Sequence, residues 1–144
     1  MRSGSIKEHY NLFDHTSDLG VEVYGSDLYN LFENSGEALF DLMTNLDSVR
    51  VKESHPIYLK GEDVDLLLRD WLGELLYLAV ADDFLFKTFK IEGISDYTFR
   101  AKAWGEKIDP ERHIIKREIK SVTYHQLKVV CKNGEWRARF VLDI

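Results

Sequence analysis

Residues 122–144 read VTYHQLKVVCKNGEWRARFVLDI. Two runs that alternate apolar and polar residues, Val122–Cys131 and Trp136–Leu142, flank Lys132-Asn133-Gly134-Glu135. Asn-Gly between such runs is the strongest short-range signal for a β-hairpin. The last part of the chain is therefore expected to be an antiparallel pair. Upstream, Phe86–Ile91 and Tyr97–Trp104 alternate in the same way. His9–Phe13 and Val21–Tyr24 flank a polar loop, and Val49–Val51 and Ile57–Leu59 are short β-branched or aromatic runs. Pro56 and Pro110 cannot donate to a ladder, so each marks a turn or a strand edge.

Two segments break this pattern with helical spacing. In Leu28–Thr44, the residues Leu28, Leu31, Phe32, Ala38, Leu39, Leu42 and Met43 form one apolar stripe. Ser26 or Asp27 can cap its start. In Asp63–Ala81, Val64, Leu67, Leu68, Trp71, Leu75, Leu78 and Ala79 make the main face, and Leu66, Leu72 and Leu76 widen it. That width predicts a second helix buried more deeply than the first. Glu62, Asp63 and Asp65 crowd its first turn, where carboxylates favour the helix dipole. The order of elements predicts an α+β fold: largely antiparallel sheet covered on one side by two main helices, in a single domain spanning 1–144.

Composition bounds the function. The 144 residues include 25 acidic and 19 basic side chains, a net charge of -6. That balance disfavours a protein that grips nucleic acid by charge alone. The charge is uneven, however. Residues 1–97 hold 19 acidic and 8 basic side chains (-11), whereas residues 98–144 hold 6 and 11 (+5). The basic residues of the final third alternate with apolar ones, as the exposed side of antiparallel strands requires. They are also the place where an acidic partner or RNA would be met. The single cysteine, Cys131, permits no intrachain disulfide, so a reducing cytoplasm fits best. No apolar run approaches the roughly 20 residues that span a bilayer, and the first ten residues lack the apolar stretch of a signal peptide.

The most unusual local sequence is Asp14-His15-Thr16-Ser17-Asp18-Leu19-Gly20. It reads either as a plain turn, with Gly20 supplying an unusual φ, or as a binding loop rich in carboxylate, imidazole and hydroxyl groups. The other end of the chain bears on that choice. Asp143-Ile144 directly follows the final strand, so the terminal carboxylate is expected close to Asp143. If that strand pairs beside the first strands, Asp18, Asp143 and the Ile144 carboxylate converge. Such oxygens repel one another without a proton or cation, and a hard divalent ion such as Ca²⁺ prefers an all-oxygen set. Zinc fits less well, because no Cys/His cluster has ligand spacing.

Other polar residues carry plainer readings. His125 reads as a half-buried strand histidine, and His113 and His55 as exposed residues with no obvious partner. Cys131 reads as a small apolar core residue, and Glu106 as a solvated group at a strand end. There is no phosphate loop, dinucleotide fingerprint or nucleophile elbow. A binding module therefore ranks above an enzyme, since no nucleophile sits beside a base. A metal-dependent hydrolase using Asp14, His15 and Asp18 and a chaperone-like RNA- or protein-binding module are the alternatives.

Several segments together resemble the archease family. They are Asp14 to Gly20, Leu31-Phe32-Glu33-Asn34 through Ala38 to Thr44, Trp71 to Tyr77, Gly105-Glu106, Val122 to His125, and Asp143-Ile144. Ser17 departs from the usual Asp-His-Thr-Ala-Asp pattern but leaves both carboxylates in place. The resemblance implies an accessory protein, not itself an enzyme, that activates the RtcB-type RNA-splicing ligase. It would promote guanylate loading and repeated turnover, with tRNA or other RNA associated only indirectly. It also implies a metal site at Asp18, Asp143 and Ile144, with calcium the expected ion and Asp14 and His15 as supporting loop residues.

Overall fold

The computed structural model describes residues 9–15, 18–95 and 97–144, and of Asp14 and His15 the backbone only. The described residues form eight strands and two helices. They run in the order β1 (Tyr10–His15), β2 (Asp18–Gly25), α1 (Leu28–Met43), β3 (Glu53–Lys60), α2 (Val64–Ala81), β4 (Phe84–Ser95), β5 (Thr98–Lys107), β6 (Ser121–Val122), β7 (Lys128–Lys132) and β8 (Glu135–Asp143). All strand pairings are antiparallel. The expected α+β class holds, with one refinement: there are two sheets. One has the order β1-β2-β8, with β6 and β7 both pairing with β8; the other is β3-β5-β4. Both helices touch strands of both sheets, so they lie between the sheets and do not cover only one.

The helices begin where their caps dictate. The Asp27 carboxylate accepts the Asn30 N–H at 2.7 Å, and Asn30 reaches back to accept the Ser26 N–H at 2.9 Å, a reciprocal capping box. Asp63 accepts from the N–H groups of Asp65 and Leu66. The relative burial of the helices differs from expectation. Leu31, Phe32, Ser35, Ala38, Leu39 and Phe40 of α1 are fully buried, whereas α2 leaves Leu66, Tyr77 and Val80 exposed. The broad apolar surface of α2 therefore does not measure its depth; α1 is the more enclosed helix. The two are joined through the Trp71 indole N–H, which donates to the Phe32 carbonyl at 2.9 Å. Trp71 also packs on Phe89 and Phe99.

Strand limits differ in instructive ways. Lys132-Asn133-Gly134-Glu135 is the expected hairpin: Lys132 pairs with Glu135, and both central residues have positive φ, 54° at Asn133 and 79° at Gly134, as a type I′ turn requires. Pro56 lies in the edge strand β3, and Pro110 lies in a turn. Val49–Val51 is not a strand; it follows a short 3₁₀ turn, Leu46–Ser48. The run Val122–Cys131 is two strands, β6 and β7, separated by a turn in which Gln126 takes φ 51°. His125 consequently lies in that turn and is exposed, not half-buried in a strand. Cys131 is likewise exposed and not a core residue. Among the described residues no helix is long and apolar enough to cross a membrane.

Candidate functional site

The first two strands and the last form one end of the larger sheet. β2 and β8 pair from Gly25↔Trp136 to Asp18↔Asp143. Directly opposed residues of an antiparallel pair present their side chains on the same face, with Cβ atoms about 5 Å apart. The register therefore brings the Asp18 and Asp143 carboxylates onto one face, both half-buried. The other edge of β8 is held as well. Ser121 pairs with Asp143, the Lys120 N–H donates to the Asp143 carbonyl at 2.7 Å, and both the N–H and hydroxyl of Thr123 donate to the Val141 carbonyl. With Asp143 tied on both sides, its position is rigid.

In the segment Asp14–Gly20 the described backbone is strand ladder on both sides of Thr16-Ser17, not a broad polar loop. β1 continues to His15, β2 starts at Asp18, and the backbones pair as Asp14↔Leu19 and His15↔Asp18. Thr16 and Ser17 and the side chains of Asp14 and His15 lie outside the described residues. Gly20 does not serve as a positive-φ turn residue; it is a strand residue over which the Phe13 ring lies, where a Cβ would come within 2.4 Å of the ring.

Two carboxylates placed face to face in a half-buried pair repel one another, and this repulsion is what a hard cation relieves. Among the described residues no three His, Cys, Asp or Glu side chains gather as a metal cluster. Asp18 and Asp143 could supply two oxygen donors, and a complete ligand set would need others. Ile144, next along the chain and 40% exposed, offers main-chain oxygens at the same end of the sheet. The donor chemistry fits an oxygen-ligated divalent ion and does not fit zinc.

A second polar cluster escapes sequence reasoning altogether. Glu106 and His113 are each 4% exposed, where a solvated glutamate and an exposed histidine were expected. Arg112 donates to Glu106 Oε1 at 2.6 Å, the Arg50 N–H donates to Oε2 at 2.7 Å, and His113 Nε2 lies 2.9 Å from Oε2. The Asp109 N–H donates to His113 Nδ1, which fixes the Nε2–H tautomer and makes His113 a donor to the carboxylate. The Arg112 hydrogen bond, with smaller contributions from Arg50 and His113, holds the Glu106 carboxyl down to about 2 against the opposing effect of burial. His55 also has partners: its ring packs edge-on against Phe84 and Phe86.

The Glu106 cluster begins a strap that ends at the carboxylate pair. Beyond His113, the Thr44 hydroxyl donates to the Ile114 carbonyl, the Lys116 N–H donates to the Met43 carbonyl, and Arg117 donates to the Leu42 carbonyl. Arg117 thereby places a cation at the C-terminus of α1, where the dipole favours it. Ile119 is buried, and Lys120 and Ser121 then meet Asp143. A groove of about 530 Å³ between α2 and β6 opens beside them, lined in part by Arg69, Gly73, Tyr77 and Lys120. Sequence reasoning missed Lys120 and Ser121 because a two-residue strand has no periodicity to detect.

Comparison with known proteins agrees with this fold. The archease protein family matches residues 10–144. The chain is 41% identical to protein archease of Pyrococcus abyssi over 141 residues, covering 95% of this chain and 97% of that protein. It is 35% identical to the protein archease of Sulfurisphaera tokodaii over 138 residues, covering 95% of this chain and 99% of that one. The solution structure of Methanobacterium thermoautotrophicum protein 1598 superposes with a TM-score of 0.84 at 34% identity, covering 95% of this chain and 99% of that one. A crystal structure of an archease from Thermotoga maritima, described as a possible chaperone, shares the fold with a TM-score of 0.61 at 17% identity, covering 100% of this chain and 98% of that one.

Proposed function

The chain belongs to the archease family, and from that membership we propose that it is a non-catalytic accessory protein of an RtcB-type RNA-splicing ligase. In this reading it promotes guanylylation of the ligase and sustains multiple turnover, acts in the cytoplasm, and associates with tRNA or other RNA through its partner. The observation that carries the reading is the register pair Asp18↔Asp143. It concentrates anionic oxygen at one end of a sheet, in a chain whose sequence offers no nucleophile beside a base.

Asp18, Asp143 and the main-chain carboxylate of Ile144 would hold a divalent ion, with calcium favoured by the all-oxygen donors. Bound there, the ion supplies positive charge that offsets charge developing on a triphosphate during guanylate transfer. The protein's own residues do the placing. β8, hydrogen-bonded along both edges, fixes Asp143; β2 sets Asp18 against it; the strap from Glu106 to Ser121 steadies the second edge. The acidic end of the sheet abuts the nucleotide site of the ligase, so its carboxylates are presented to the partner and not to RNA.

The test is a multiple-turnover ligation assay with a matching ligase. Asp18→Ala and Asp143→Ala are expected to retain the fold and lose activation. Full activation by both variants would overturn the reading. Deleting Ile144, which moves the terminal carboxylate onto Asp143, separately tests the third donor: unchanged metal affinity would remove it from the set.

A further inference from the structure

The outer face of the larger sheet, away from the helices, carries Asp18 and Asp143 at one end of β2 and β8; the part of that face at the other end, beside the β7–β8 hairpin, has no role in the reading above. Core residues of β8 are Ala138, Phe140 and Leu142, so Arg137 and Arg139 point outward. The β7 register places Lys128 opposite Arg139, Val130 opposite Arg137 and Lys132 opposite Glu135, so both lysines share that face and both are exposed. From the other side, β1 and β2 contribute Phe13 and Tyr24. The Arg139 guanidinium lies 4.1 Å from the Phe13 ring centroid and that of Arg137 lies 5.8 Å from Tyr24. Four cations thus occupy adjacent strands, two of them laid over aromatic rings.

Glu22 and Glu135 sit among them, each facing the Nε of one arginine, at 3.4 Å from Arg139 and 3.0 Å from Arg137. At this hairpin end the patch carries two more positive than negative charges, whereas Asp18 and Asp143 lie four residues further along β2 and β8 on the same face. Lys128 directly opposite Arg139 is a like-charge pair, which costs folding stability until an anion lies between the two. An acidic protein surface would satisfy the charges but would leave the ring-backed guanidinium planes without a purpose. Nucleobases stack on such planes while the phosphates meet the lysines.

We propose that this sheet face binds single-stranded RNA directly, without sequence preference, through Lys128, Lys132, Arg137 and Arg139 over Phe13 and Tyr24. The inference goes beyond the accessory role and does not depend on it, since it concerns the protein alone. The local patch, and not the net charge of -6, governs binding at the range of a few ångströms over which salt leaves charges unscreened.

The test is fluorescence anisotropy of a labelled 12-nucleotide oligouridine with the full chain, at two salt concentrations. With the two lysines meeting phosphate, affinity falls about sevenfold between 50 and 200 mM salt. Lys128→Ala/Lys132→Ala should bind at least about tenfold more weakly at 50 mM and lose most of that salt dependence. Photo-crosslinking of the parent protein should map to β1, β2, β7 or β8, which tests the face without any variant. The proposal is overturned by absence of binding at about 100 µM protein in 50 mM salt, by an unchanged salt dependence in the folded double variant, or by crosslinks confined to the helices. It is also overturned if polyglutamate of equal charge competes as well as unlabelled RNA, which would make the partner an acidic protein.

Discussion

Asp18 stands directly opposite Asp143 where β2 and β8 end their pairing, so two carboxylates share one face with no residue between them. In chelator, Asp143→Asn should therefore unfold at or above the parent's melting temperature. With calcium at about 100 times its Kd, the parent should gain about 2.7 kcal/mol and the variant little. Thermal unfolding with and without the ion measures both; equal gains in the two proteins would contradict a shared metal site.

Glu106 gives a pH dependence with a definite sign. Its carboxyl is held at about 2 from an ordinary value of 4.5, chiefly by the Arg112 hydrogen bond. The folded state thus favours the ionised form. The stability this contributes is complete above pH 4.5 and is lost as pH falls towards 2. Glu106→Gln should cost about 3 kcal/mol near neutrality, because an amide cannot accept from Arg112, the Arg50 N–H and His113 as the buried carboxylate does. The gap between parent and variant should close over that acidic window, as read by urea unfolding at a series of pH values.

Gly105 of β5 stands opposite Phe86 of β4, beside a register shift between Phe86 and Thr88. A Cβ there would sit 1.8 Å from the Leu85 carbonyl oxygen, and backbone cannot rotate aside as a flexible side chain can. Gly105→Ala should cost about 3 kcal/mol in denaturant unfolding and should disturb the adjacent Glu106 cluster. A loss below half of that would show that the irregular β4–β5 pairing relaxes easily.

Trp71 couples the helices through its bond to the Phe32 carbonyl. Trp71→Phe removes that donor and leaves a void in a fully buried site. A loss of about 2–3 kcal/mol is expected, with α1 and α2 still unfolding in one transition by circular dichroism and tryptophan-independent probes.

What the sequence disclosed and what it hid follow from the range of the interactions. The Asn133-Gly134 turn, the Asp27 and Asp63 caps and the apolar stripes act within a few residues, and each appears where its local pattern places it. The convergence of Asp18 with Asp143 was conditional on the last strand pairing beside the first strands, and β8 does pair with β2. The depth of α1 was not legible, because it depends on two sheets enclosing one helix. The burial of His113 and Glu106 was hidden for the same reason: Arg50, whose N–H donates to Glu106, and Ser48, whose carbonyl accepts from Arg112, come from a segment more than 50 residues away in the chain. Cys131 faces outward because a turn at Gln126 divides what looked like one continuous strand.

The most direct measurement of the central claim is multiple-turnover RNA ligation by a matching RtcB-type ligase with substoichiometric amounts of this protein. The parent chain should raise the number of turnovers and the guanylylated fraction of the ligase, and Asp143→Ala should return both to the level of the ligase alone. Activation by Asp143→Ala equal to that of the parent would contradict the assignment of the carboxylate pair as the working site.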